Sequence, residues 1–203
     1  MKKRVSSFIY SLLIALIANV VLFNSGPGLI WFFGMKYYEL GVWSITAIVF
    51  VFALITIRQI QRGYLTLRLI RTLTLLYIIA FLITVFFKNG GYGIRLVNLD
   101  INACLIELKQ YPLVEILNVL LWIPFGAWLR LRTTNYKIAG MSGFIFSFAI
   151  ETTQYIFSLG VSDINDLIAN TLGFVIGFWL VDRIKHHGIY IEYLDDKRIR
   201  LRH

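Results

Sequence analysis

Residues 151–177 read ETTQYIFSLGVSDINDLIANTLGFVIG. Five polar side chains capable of chemistry, Glu151, Gln154, Asp163, Asp166 and Asn170, fall in this one stretch of a chain that is otherwise strongly apolar. Asp163, Asp166, Asn170, Gly173 and Gly177 are spaced 3, 4, 3 and 4, which lines them on one face of a helix. The glycine end of that face suits close approach of a neighbouring helix, in the manner of small-xxx-small packing. Its other end carries polar groups. A charge facing lipid near mid-bilayer costs about 3 kcal/mol on insertion scales, so the spacing predicts that these groups face other helices and water.

The remainder of the chain supplies the reason to invoke a bilayer. Of 203 residues, 58% are hydrophobic and only 15% charged, and the mean hydropathy is +0.72. A soluble domain of this size has too little interior for so much apolar surface. Six segments approach the roughly 20 apolar residues that cross a bilayer: about 5–23, 40–57, 69–87, 113–129, 138–158 and 165–181. The expected fold is therefore an all-α bundle of about six transmembrane spans. The first segment follows MKKR but is longer than a signal-peptide core and lacks an adjacent small-x-small site, so it is read as a retained helix.

Charge orients the bundle. With the N-terminus in the cytoplasm, sixteen of the twenty Lys and Arg residues fall on the inner side and four, Lys36, Lys88, Arg95 and Lys109, on the outer. That bias places both termini inside. The net charge of +9 sits in short runs beside apolar segments, a topology and anionic-lipid signal and no nucleic-acid footprint. The long outer connection, residues 89–112, contains ACLIEL, expected as a short interfacial helix. One cysteine, Cys104, allows no intrachain disulfide. One membrane domain, 1–203, is expected, with two N-terminal spans in 1–68, a core in 69–181 and a basic cytoplasmic tail in 182–203.

This topology brings three helices' polar residues to the outer leaflet. Glu115 and Asn118 are three apart on the fourth span, with Trp122 continuing the stripe. Glu151 and Gln154 are three apart on the fifth, extended backward through Ser147. Glu151 lies about 10 Å inside its helix at 1.5 Å per residue, too deep for a cap. SDIND is good capping sequence, so Asp163 serves either as a cap or in a site, and the same alternatives apply to Asp166.

Glu151, Asp166 and Asp163 are the candidate acid/base or cation-binding groups. Asn118, Gln154, Asn170, Glu115 and Arg95 are the candidate ligand contacts. Several acids at one level require protonation or a cation. Arg95, Lys109, a cationic ligand or a divalent ion such as Mg²⁺ or Ca²⁺ on Asp163, Asp166 and Glu151 would supply it, since carboxylates and amides are hard ligands. All three histidines, His186, His187 and His203, lie on the inner side, which excludes a histidine-based outer site. No phosphate-binding, dinucleotide, zincin or serine-elbow motif is present, leaving those reactions without support. WIPFGAW, 122–128, places a proline within the fourth span, where a kink is expected.

Taken in order, Asn118 and WIPFG, Glu151 and Gln154 in ETTQ, and Asp163, Asp166, Asn170, Gly173 and Gly177 resemble the VanZ-like family of bacterial membrane proteins over about residues 69–181. RLVNLD, 95–100, resembles an earlier segment of that family. The resemblance implies a multi-pass protein of the bacterial cell membrane, associated with the envelope and, for some relatives, with resistance to the glycopeptide teicoplanin. Two departures stand out. Family members often carry an arginine about where Gly160 stands here, and NLDI adds Asp100 where NLIP is common. Arg95 then carries more of the neutralising role. The function expected is binding or modification of a lipid headgroup or envelope precursor by an outer-leaflet acidic cavity. The alternatives are a cation- or proton-coupled transporter and a structural bundle.

Overall fold

The computed structural model describes residues 2–24, 38–87, 94–100, 109–110 and 112–202. Six long helices and five short strands follow in chain order: α1 (Lys2–Asn24), α2 (Tyr38–Gln61), β1 (Leu65–Thr66), α3 (Leu67–Phe87), β2 (Ile94–Asn98), α4 (Pro112–Arg130), α5 (Tyr136–Ile156), β3 (Leu159–Asp163), α6 (Ile164–His186), β4 (Tyr190–Asp195) and β5 (Arg198–Arg202). Val5–Leu22, Tyr38–Gln61, Leu67–Phe86 and Ile164–His186 are long and apolar enough to cross a membrane. The helices coincide with all six apolar segments of the sequence, whereas the connections contain strands that an all-α reading omits. The expected interfacial helix at ACLIEL lies outside the described residues. The chain divides into two compact units, Met1–Leu82 with Tyr190–His203, and Ile83–Ile189.

In the first unit α1 and α2 form an antiparallel pair. Asn19 Nδ2 donates to Thr46 Oγ1 at 2.9 Å and Gln61 Nε2 to Ser6 Oγ at 3.1 Å. Lipid competes poorly for such donors, so hydrogen bonds between helices replace the hydrophobic drive available in water. Ser7 and Ser11 are fully buried, and their small side chains admit close packing. Beyond α2, Gly63 turns the chain with φ +80°, a conformation that glycine adopts without a steric penalty. The tail then returns: β5 pairs antiparallel with β1, Leu65 opposite Ile199, and with β4, Ile191 opposite Leu201 and Tyr193 opposite Ile199. Leu67 N donates to Lys197 O at 2.7 Å. The basic tail is thus a folded sheet. Its Arg200, hydrogen-bonded to Glu192, holds that carboxyl below the usual carboxylate range.

The second unit contains α4, α5 and α6. Glycines bring α4 and α6 into backbone contact: a Cβ on Gly126 would lie 1.7 Å from Phe174 O, one on Gly173 2.1 Å from Val119 O, and one on Gly177 2.0 Å from Ile123 O. The packing expected of Gly173 and Gly177 is present, with Gly126 as its counterpart on α4. The helix α4 runs on through Pro124 to Arg130. Across one end of this unit β2 and β3 pair in parallel, Arg95 opposite Gly160 and Asn98 opposite Asp163. These strands meet the backbone hydrogen-bonding needs of the segments entering the bundle.

Candidate functional site

The start of α6 is fixed by Asp163. Its backbone is extended, φ −119° and ψ 128°, and its side chain accepts from Asn165 N. Oδ1 takes that bond at 2.8 Å and Oδ2 accepts from Asn98 Nδ2 at 2.9 Å, while Asp163 N donates to Glu151 Oε2 at 2.9 Å. One aspartate therefore ties together β2, α5 and α6. Of the alternatives open in the sequence, the cap is realised. Asp163→Ala removes the cap and leaves Asn98 without its acceptor. The expected loss is about 1–2 kcal/mol, read as a lower thermal midpoint of the purified protein.

Beneath this cap polar side chains of the three helices come together. Asn118 on α4, Glu151 and Gln154 on α5, and Asp166 and Asn170 on α6 line one small cleft with Thr84, Val85, Leu121, Trp122 and Ile150. Asn118 Nδ2 donates to Asp166 Oδ1 at 2.8 Å and Asn170 Nδ2 to Ser147 Oγ at 2.9 Å. Gln154 Nε2 donates to Val85 O at 2.7 Å, recruiting the end of α3. Glu151 is only 5% exposed and Gln154 7%. Asp166 stands in the first turn of α6, where the free N–H groups and helix dipole favour a negative charge.

Two acceptors remain open. Gln154 Oε1 and Asn165 Oδ1 are buried without a hydrogen-bond partner among the described residues. A buried unsatisfied polar atom costs about 1–3 kcal/mol. Gln154 Oε1 belongs to a residue lining the cleft, where an incoming donor would satisfy it.

The remaining sequence candidates fall elsewhere. Glu115 is half-buried in the first turn of α4 and does not line the cleft. Arg95 is placed by its backbone alone, opposite Gly160, the position at which the family resemblance places an arginine. Among the described residues no group of three or more His, Cys, Asp or Glu side chains is arranged to hold a metal ion. The expected cation set of Glu151, Asp163 and Asp166 does not form such a group among the described residues.

A cluster at the far ends of the same helices escaped the sequence reading. Arg130, 8% exposed, donates through Nε to Asp182 Oδ1 at 2.6 Å. Tyr136 Oη donates to Asp182 Oδ2 at 2.8 Å, which raises the Tyr136 phenol above its ordinary pKa. Phe178 covers the pair, its ring 4.8 Å from that of Tyr136 and 5.7 Å from Arg130 Cζ. An arginine at the very end of one span, with an aspartate just past another, is the only trace of this clasp in the sequence.

The profile of the VanZ/LLP1 family matches residues 73–185. The chain belongs to the VanZ/LLP1 family. The family match contains every residue that lines the cleft. Protein VanZ of Enterococcus faecium is 30% identical over 84 residues, which are 40% of this chain and 48% of that protein. The chain thus aligns with about half the length of this relative. No solved structure matches. Together the family and the four apolar helices identify a membrane protein.

Proposed function

We propose that this VanZ-like protein binds the donor-bearing headgroup of a lipid or envelope precursor from the outer leaflet of the bacterial cell membrane. In this reading six helices cross the bilayer, both termini are cytoplasmic, and the cleft opens on the outer side. The observation that carries the reading is the unsatisfied acceptor Gln154 Oε1, on a residue that lines the same cleft as Glu151 and Asp166. An ammonium or amide N–H would fill it while the carboxylates attract its charge. Asn118 and Asn170 hold the walls through their bonds to Asp166 and Ser147. Arg95, at the rim strand, supplies compensating charge. For any modification of the headgroup, Glu151 and Asp166 are the acid/base candidates, with Asp163 a positioning residue.

Transport finds less support. Away from the cap, α4 and α6 meet backbone to backbone at Gly126, Gly173 and Gly177, and Arg130, Asp182 and Tyr136 link the ends of α4, α5 and α6. A pathway through the bundle would have to part both contacts. A purely structural role is favoured by the internal bonds of Asn118 and Asn170, but it assigns nothing to Gln154 Oε1.

The test is native mass spectrometry of protein released from nanodiscs of phosphatidylethanolamine and phosphatidylglycerol. Wild type is compared with Gln154→Leu and with an Asp166→Asn, Glu151→Gln double variant. The expected result is a retained phosphatidylethanolamine, or a co-purified amine-bearing precursor, that both variants lose by about tenfold or more, the equivalent of about 1.4 kcal/mol. Equal, unselective lipid retention by all three proteins would instead favour the structural bundle.

A further inference from the structure

The sheet formed by β1, β5 and β4 has two unlike faces. Side chains alternate along a strand and directly paired residues share a face. The register therefore gathers Leu65, Ile199, Leu201, Ile191 and Tyr193 on one side. Thr66, Arg198, Arg200, Arg202, Glu192 and Tyr190 take the other. The charged side is internally paired, Arg198 with Asp195 and both Arg200 and Arg202 with Glu192. The apolar side is uncovered: Tyr193 is 71% exposed, Leu201 67% and Ile191 45%. A three-stranded sheet that leaves its apolar face to water forfeits most of the benefit of amphipathic strands.

The position of β1 indicates what covers that face. Only residues 62–66 separate α2 from α3, and both helices are long and apolar enough to cross a membrane. At 1.5 Å per residue α2 is about 36 Å long, more than the roughly 30 Å hydrocarbon core, so its last turn reaches the headgroups. Arg58, Arg62, Arg68 and Arg71 mark that level, as expected for anchors on the anionic cytoplasmic surface. Hydrogen bonds from β1 and from Leu67 N to Lys197 O fasten the sheet there. Arg198 Cζ also lies 5.4 Å from the centre of the Tyr64 ring. Tyr193, on the apolar face, supplies a ring of the amphipathic kind that concentrates at membrane interfaces.

We infer that the C-terminal sheet is an interfacial foot, laying its Ile191, Tyr193 and Leu201 face on the phospholipid surface of the bilayer that α2 and α3 cross. The hairpin then holds the strands that follow α6 at the membrane surface. The inference rests on the crossing by α2 and α3 and is independent of the cleft's ligand.

Spin labels placed one at a time in the full chain with Cys104→Ser test it, in nanodiscs of three parts phosphatidylethanolamine to one part phosphatidylglycerol. Tyr193→Cys and Leu201→Cys are expected to be reached by oxygen in preference to an aqueous nickel chelate. Tyr190→Cys and Arg202→Cys should show the opposite preference. Val51→Cys, in mid-α2, reports the crossing itself. If Val51 is in lipid while 193 and 201 are as accessible to nickel as 190 and 202, the foot is refuted and the crossing stands. If Val51 is also aqueous, the crossing fails and the foot with it. Dipolar coupling between labels on two copies at 193 would assign the face to a second chain and overturn the inference. Unlabelled wild type provides a check free of substitutions: tryptic cleavage after Lys197 should be slower in nanodiscs than in detergent micelles, and equal rates would refute the foot.

Discussion

Gly126→Ala should lower the thermal midpoint more than any other single methyl addition at the glycines of this bundle. The new Cβ would lie 1.7 Å from Phe174 O and 2.7 Å from the same carbonyl carbon. Neither is the movable end of a side chain. The two helices must separate along a line that Gly173 and Gly177 hold at the same close distance from Val119 and Ile123. Relief at one glycine therefore loosens contacts at the other two. Overpacking costs about 1–3 kcal/mol in ordinary cores, and a clash with backbone belongs at about 3 kcal/mol or above. Gly140→Ala is the matched control, since nothing lies within 4 Å of its added Cβ. There, in mid-helix, alanine should be neutral or stabilising by about 0.5–1 kcal/mol. Unfolding in detergent followed by tryptophan fluorescence reads both. A Gly126→Ala protein as stable as wild type would mean that α4 and α6 do not make this contact.

Arg130→Met is the second large effect. The guanidinium is buried and donates to Asp182, whose other oxygen accepts from Tyr136. Removing the cation leaves the half-buried Asp182 carboxylate with the Tyr136 phenol and, 3.8 Å away, the ring of His186. Truncating one partner of a buried pair is far more damaging than replacing both, because the second charge stays behind without compensation. The midpoint should fall well below that of Arg198→Ala, which breaks an exposed pair in the tail sheet and should change stability little. Adding Asp182→Asn to Arg130→Met should recover part of the loss. Additive losses in the double variant would show that the two residues stabilise the bundle separately.

The sequence made the site legible where a residue type conflicted with its setting. Glu151, Gln154 and Asn170 are polar groups within apolar helices whose three- and four-residue spacings marked them as one set, and all three line the cleft. The same spacing anticipated the glycine seam of α6. Asp163 stayed ambiguous because one residue type suits a cap and a ligand equally. Arg130 and Asp182 were hidden by the opposite circumstance: each stands at the end of an apolar segment, where charge is ordinary, and 52 residues separate them. The tail sheet was legible in principle. RIRLR alternates apolar and basic residues with the period of a strand, but beside a membrane span its arginines read first as an orientation signal. Nothing in IRLVN or LGVSD alone tells that the two will pair, since strand pairing is set by the helices that bring the segments together.

That parallel pairing bears on how the protein is made. Strand β2 emerges from the ribosome well before its partner: 65 residues separate Asn98 from Asp163, and α4 and α5 lie between them. Closing so long a loop carries an entropic cost that local contacts do not, and it is recovered only when the intervening helices have settled. The bonds that Asp163 accepts from Asn98 and donates to Glu151 accordingly form late in assembly, after α5 has packed and α6 has begun. A chain stalled before Leu159 has five complete helices, α1 to α5, and no cleft, so the acidic groups gain their final surroundings only once α6 has followed.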